Sequence, residues 1–104
     1  MCIRDRSFIE KNRETPFLLY LGFNIPHYPE QALPEHTAIY KELDMPRRSY
    51  AAMITTTDYY IGQVLEKLSQ LGLTENTMVI FQSDNGHSAE DLSLIHISEP
   101  TRPY

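Results

Sequence analysis

The residues best suited to chemistry lie in the stretch Phe81-Gln82-Ser83-Asp84-Asn85-Gly86-His87, directly after the apolar run Met78-Val79-Ile80. Asp and Asn oxygens are hard donors suited to Ca²⁺ or Mg²⁺, and a following Gly lets the backbone turn beneath an ion. The same residue types also build turns. A hairpin would need a β-rich strand after the turn, whereas the chain continues with His87-Ser88-Ala89-Glu90-Asp91. On these residues alone, a metal-ligand pair and a plain turn both stand.

A second apolar run, Phe17-Leu18-Leu19-Tyr20-Leu21, ends in Asn24-Ile25-Pro26-His27-Tyr28-Pro29. His27 sits between two prolines that fix the backbone on either side. A neutral imidazole there could hydrogen-bond an anionic group or shuttle a proton, or simply pack as a loop residue against Tyr28. His36 lies in a Pro/Glu-rich loop and reads as a surface residue. Asp58 falls on an apolar helical stripe, four residues after Ile54 and three before Ile61, so it reads as a buried, paired carboxylate anchoring a neighbour. Gly62 reads as a site of close helix–sheet packing. Tyr59 and Tyr60 read as amphipathic packing residues, and Lys41, Arg47 and Arg48 as solvated.

The positioning elements follow from periodicity. Short, β-rich apolar runs read as buried parallel strands, here Phe17 to Leu21 and Thr77 to Gln82. Between them, Tyr50, Met53, Ile54, Ile61, Val64, Leu65, Leu68 and Leu71 recur at helical spacing. Asp44 is placed to cap that helix, Pro46 to open it, and Gly72 to end it. His36 to Leu43 reads as a short helix, and Ser7 to Arg13 as the last turns of another. Strand, helix, strand makes a βαβ unit with a right-handed crossover. Both strands then deliver their carboxyl ends to one rim, where ligands of open α/β sheets gather.

The 104 residues allow one small domain at most, and the net charge of −5 argues against a nucleic-acid surface. No apolar run approaches membrane-spanning length, and no signal-peptide pattern is present. The ends read as foreign. Met1-Cys2-Ile3-Arg4-Asp5 can be encoded by DNA whose reverse complement encodes Leu92-Ser93-Leu94-Ile95-His96. Such an inverted repeat resembles a transposon end used in preparing sequencing libraries, with residues 97–102 as read-through into an adapter. The expected division is 1–6 foreign, 7–91 biological and 92–104 foreign. The biological segment holds six basic and twelve acidic side chains, a net −6, and no cysteine, so redox compartment is not legible.

The order of these pieces resembles the sulfatase family of the alkaline-phosphatase-like superfamily, from about Pro16 to Glu90. The matching pieces are Pro16-Phe17-Leu18-Leu19-Tyr20-Leu21, Pro26-His27-Tyr28-Pro29, Tyr50-Ala51-Ala52-Met53, Asp58, Ile61-Gly62-Gln63-Val64-Leu65, Leu71-Gly72-Leu73, Asn76-Thr77 and Ser83-Asp84-Asn85-Gly86. Each is weak alone, and the whole series in order is specific. The resemblance implies a βαβ fragment of a three-layer α/β sandwich with a mainly parallel sheet. It also implies a Ca²⁺-dependent hydrolase acting on sulfate esters of small molecules or glycans, periplasmic or secreted in most relatives. Asp84 and Asn85 match the family's second pair of metal ligands. His27 matches the histidine that hydrogen-bonds the sulfate and helps the leaving oxygen depart, and His87 is placed to line the substrate cleft.

The family's nucleophile, a Cys or Ser converted to formylglycine in a C/S-x-P-x-R motif, has no counterpart in the biological segment, and Ser98-Glu99-Pro100-Thr101-Arg102, which has that form, lies in the foreign end. Cys2 is followed by Ile3, Arg4 and Asp5. The first acidic metal pair and the sulfate-gripping lysines are also missing. The expectation is therefore a sulfatase parent and an inactive fragment. Two rivals remain: a metal-dependent phosphodiesterase or phosphonate hydrolase of the same superfamily, and a non-catalytic α/β binding module in which Asp84-Asn85-Gly86 is only a turn.

Overall fold

The structure, a computed structural model, describes residues 2–27 and 31–86. Three helices are present: α1 over Cys2–Lys11, α2 over Pro34–Ile39 and α3 over Arg47–Gln70, followed by a 3-10 turn at Thr74–Asn76. Both α1 and α2 pack against α3. Helix α1 runs unbroken through residue 7, and Asn12 closes it with its backbone and side-chain amides on the Phe8 carbonyl.

Helix α3 matches the expected long helix, but its ends are made differently at the two termini. Pro46 occupies the N-cap and no side chain caps the first turn. Asp44 contributes only its carbonyl, which accepts the Arg48 N–H, so the expected carboxylate cap is not formed. Arg48 is not simply solvated. Its guanidinium donates to the Leu43 and Lys41 carbonyls at 2.9 and 2.8 Å and ties the α2–α3 connection to the helix start.

The C-terminus behaves as the sequence predicts. Gly72 has φ +70°, the left-handed conformation that a residue with a Cβ adopts at a cost. Its N–H bonds the Ser69 carbonyl and the Leu73 N–H bonds the Leu68 carbonyl, the paired bonds of a Schellman motif. The motif's hydrophobic partner contact is also present, with Leu73 packed against the cluster that contains Leu68. The turn therefore satisfies the last carbonyls of α3 and directs the chain back along the helix.

The core forms where α1 meets the C-terminal half of α3. Ile9, Val64 and Leu68 are buried there, and Phe17, Leu19, Leu21, Leu71 and Leu73 pack against them. Phe8 and Phe17 meet edge to face at 5.8 Å, and Lys67 bridges to Glu10 at 3.1 Å across the α1–α3 contact.

The two expected strands differ from expectation in one respect: among the described residues no strand hydrogen-bonding ladder is present. Residues 17–25 nevertheless alternate strictly, with odd-numbered residues partly covered and even-numbered ones exposed. Period-two burial is the mark of an extended segment lying on one surface. Leu18 and Tyr20 on the outer side are 90% and 89% exposed. Residues 78–81 are exposed on both sides. A ladder needs a partner backbone at about 4.8 Å, and no such partner is among the described residues.

Candidate functional site

Two of three consecutive threonines on α3 engage the chain on either side of His27, at Ile25 and Leu33, and the third reaches Tyr40. Thr55, Thr56 and Thr57 point in three directions because successive helical residues turn by about 100°. The Thr55 hydroxyl bonds the Tyr40 hydroxyl at 2.7 Å, just past α2. The Thr56 hydroxyl accepts the Leu33 N–H at 3.1 Å and meets His36 Nδ1 at 2.8 Å. Thr57 donates to the Met53 carbonyl one turn back at 2.9 Å, with a longer branch of 3.5 Å to the Ile25 carbonyl.

These contacts revise three expectations. His36 is partly covered, bonded to Thr56 and edge-on to Tyr59 at 5.5 Å, and is not a plain surface residue. Asp58 is exposed, and the buried polar residue of α3 is Thr56, 2% exposed. Ile54 is itself exposed, so the stripe on which Asp58 was counted is not the buried one. Gly62 is exposed, and a Cβ built there would meet nothing within 4 Å, so it marks no close packing.

His27 is exposed at the end of the extended segment. Beside that segment's end lies a cleft of about 380 Å³ between residues 23–25, residues 31–33, Thr56 and Tyr60. Thr56 forms part of its floor and at the same time holds Leu33 on its wall. No signal in the hydropathy pattern marks Thr56. The only hint is three β-branched hydroxyl residues in a row inside a helix, where each needs an acceptor or donor to be buried.

Asp84 and Asn85 are exposed and joined locally. Asp84 Oδ1 accepts the Asn85 N–H at 2.8 Å, and the Ser83 hydroxyl donates to the Asn85 carbonyl at 2.8 Å. The bend thus presents a carboxylate and a carboxamide from adjacent residues. A carboxylate offers about four lone-pair positions, so one local bond leaves capacity for an ion. Among the described residues no three His, Cys, Asp or Glu side chains gather as a metal cage. Two hard oxygen donors fit part of a calcium shell of six to eight, and further ligands must come from elsewhere. His87 lies outside the described residues.

A sulfatase family model matches residues 5–102. The chain belongs to the sulfatase family. Among its sulfatase relatives, rat (Rattus norvegicus) steryl-sulfatase is 38% identical over 86 residues, which cover 83% of this chain and 14% of that protein. The N-acetylgalactosamine-6-O-sulfatase of Bacteroides thetaiotaomicron is 35% identical over 88 residues, 85% of this chain and 16% of its own length. The crystal structure of Ps i-CgsB in complex with k-i-k-neocarrahexaose superposes with a TM-score of 0.66 at 32% identity, covering 72% of this chain and 17% of that one. These sulfatase likenesses give the chain an alkaline-phosphatase-like α/β fold class. The sulfatase segment therefore spans about a sixth of the proteins it matches. No helix among its described residues is long and apolar enough to cross a membrane.

Proposed function

We propose that this segment is part of the catalytic domain of a sulfatase that hydrolyses sulfate esters of small molecules or glycans. The observation that carries the reading is the family match across residues 5–102. In this reading residues 17–21 and 77–82 are parallel strands of one sheet, joined by a right-handed crossover through α3. The alternating exposure of residues 17–25 supports the first of them. Residues 1–6 and 92–104 are read as foreign, against a family match that extends over residues 5–6 and 92–102, and a long read of the source DNA across both ends tests that directly.

Asp84 and Asn85 would hold the metal ion, taken as Ca²⁺ from the family resemblance, since their oxygen donors suit Ca²⁺ or Mg²⁺ alike. When bound, the ion would supply positive charge against the sulfate oxygens. His27 donates a hydrogen bond to the ester and gives a proton to the leaving oxygen as the S–O bond breaks. An exposed position at the end of an extended segment suits that role, because substrate must reach it. His87 lines the substrate cleft in this assignment. The formylglycine motif has no match in residues 7–91, Cys2 lacks the following Pro and Arg, and the string of that form, Ser98-Glu99-Pro100-Thr101-Arg102, falls in the end read as foreign. The segment alone is accordingly inactive, and the nucleophile belongs to the rest of the parent.

The test is sulfate release by the full-length parent from 4-nitrophenyl sulfate and from sulfated sugars. On the sulfated sugars, whose alkoxide leaves poorly without a proton, a His27→Ala variant should lose roughly 10²–10⁴-fold in kcat, the usual contribution of a positioned acid. Cleavage of bis(4-nitrophenyl) phosphate with no sulfate release would replace this reading with the phosphodiesterase one.

A further inference from the structure

We propose that Thr56 is a positioning residue for His27, acting from the buried face of α3 through the backbone at Leu33. The inference rests on the assignment of His27 made above. His27 lies between Ile25 and Leu33 in the chain, and α3 engages both flanks: Thr57 at the Ile25 carbonyl and Thr56 at the Leu33 N–H. Of the two, the Thr56 contact is the shorter, at 3.1 Å against 3.5 Å, and Thr56 is the more buried residue.

The hydroxyl of Thr56 engages two partners. Its oxygen accepts from the Leu33 N–H at 3.1 Å and stands 2.8 Å from His36 Nδ1. The ring of His36 is in turn braced edge-on against Tyr59 of the same helix. A hydroxyl bonded to both holds its two partners in fixed relation. A helix packed in the core is a stiffer mount than a loop for a group that must meet a leaving oxygen. Thr56 also floors the cleft walled by residues 23–25 and 31–33, so it links the approach to His27 with the return from it. It touches neither substrate nor ion in this assignment.

The experiment compares Thr56→Val, Thr56→Ser and His27→Ala in the full-length parent, on an alkyl sulfate and on 4-nitrophenyl sulfate. An alkyl alkoxide leaves poorly and depends on protonation, whereas 4-nitrophenolate depends on it little. Thr56→Val keeps the shape and removes the hydroxyl. It should lower kcat on the alkyl sulfate roughly tenfold or more, as expected for a small misplacement of an acid, with KM nearly unchanged. On 4-nitrophenyl sulfate the loss should be much smaller, and Thr56→Ser should restore most of the alkyl activity. If His27→Ala is leaving-group selective and Thr56→Val is equally impaired on both esters, or unimpaired, the positioning role is overturned while the sulfatase reading stands. If the unsubstituted parent releases no sulfate, or His27→Ala matches it, the assignment of His27 fails first and this inference falls with it. Hydrogen exchange of the unsubstituted parent gives a readout that needs no variant. The Leu33 amide should be protected, and exchange at the rate of a free amide overturns the proposal.

Discussion

Asp84 and Asn85 owe their presentation to a bend that uses only local bonds. Asp84 Oδ1 bonds the next backbone N–H and Ser83 closes on the Asn85 carbonyl. Pre-ordering of this kind lowers the entropy lost when an ion binds, and it does not exhaust the carboxylate's acceptor sites. In the parent, Asp84→Ala should weaken Ca²⁺ binding by roughly a hundredfold, within the range over which ligand charge tunes calcium sites. Asp84→Asn keeps an oxygen and loses the charge, so its loss should be smaller. Isothermal titration with Ca²⁺ reads both, and an Asp84→Ala protein with unaltered affinity would remove this residue from the metal site.

At the scale of elements, α3 is the part on which everything else is mounted. Its C-terminal half carries the Ile9–Val64–Leu68 cluster, and its N-terminal half carries the threonines that engage the loop and α2. Ile9 is 1% exposed and is the main contribution of α1 to that cluster. Replacing it with Ala should cost about 2–4 kcal/mol through lost burial and the cavity left behind. Gly72→Ala should cost about 1 kcal/mol, because at φ +70° the added methyl meets no neighbour and only the backbone conformation is penalised. Denaturant unfolding of the parent measures both. A Gly72→Ala protein as stable as the original would mean the helix ends by some other means. The Lys67–Glu10 bridge adds little, since Glu10 is half exposed and solvent-screened pairs are worth up to about 1 kcal/mol.

At the scale of the whole molecule, apolar surface is out of balance with core. Leu18, Tyr20, Met78, Ile80 and Phe81 are each more than three-quarters exposed, while five apolar residues among those described are buried. Exposed apolar segments with unpaired backbone invite edge-to-edge association. The 104-residue chain on its own should therefore bind an apolar-surface dye, melt over a broad range and be poorly soluble. A sharp cooperative melt without dye binding would contradict this.

The local chemistry of the sequence was enough for several features. Apolar residues at three- and four-residue spacing made α3 legible, and Gly72 after Leu71 marked its end. The order of pieces around His27 and Asp84-Asn85-Gly86 was enough to indicate the family, because a series of short motifs constrains more than any one of them. Periodicity alone misjudged the rotation of α3. Apolar residues are spread widely around it, Ile54 and Leu65 are exposed, and a threonine can be buried as readily as an isoleucine once its hydroxyl is bonded. Asp58 and Gly62 were misread for that reason. His36 was misread because the residue that engages it, Thr56, is twenty positions away. The sequence by itself determined the long helix α3, its end at Gly72 and the family, since those depend on neighbours and motif order along the chain. Only the tertiary structure decided which face of α3 is buried and that Thr57 and Thr56 engage Ile25 and Leu33, because both depend on partners brought together by packing.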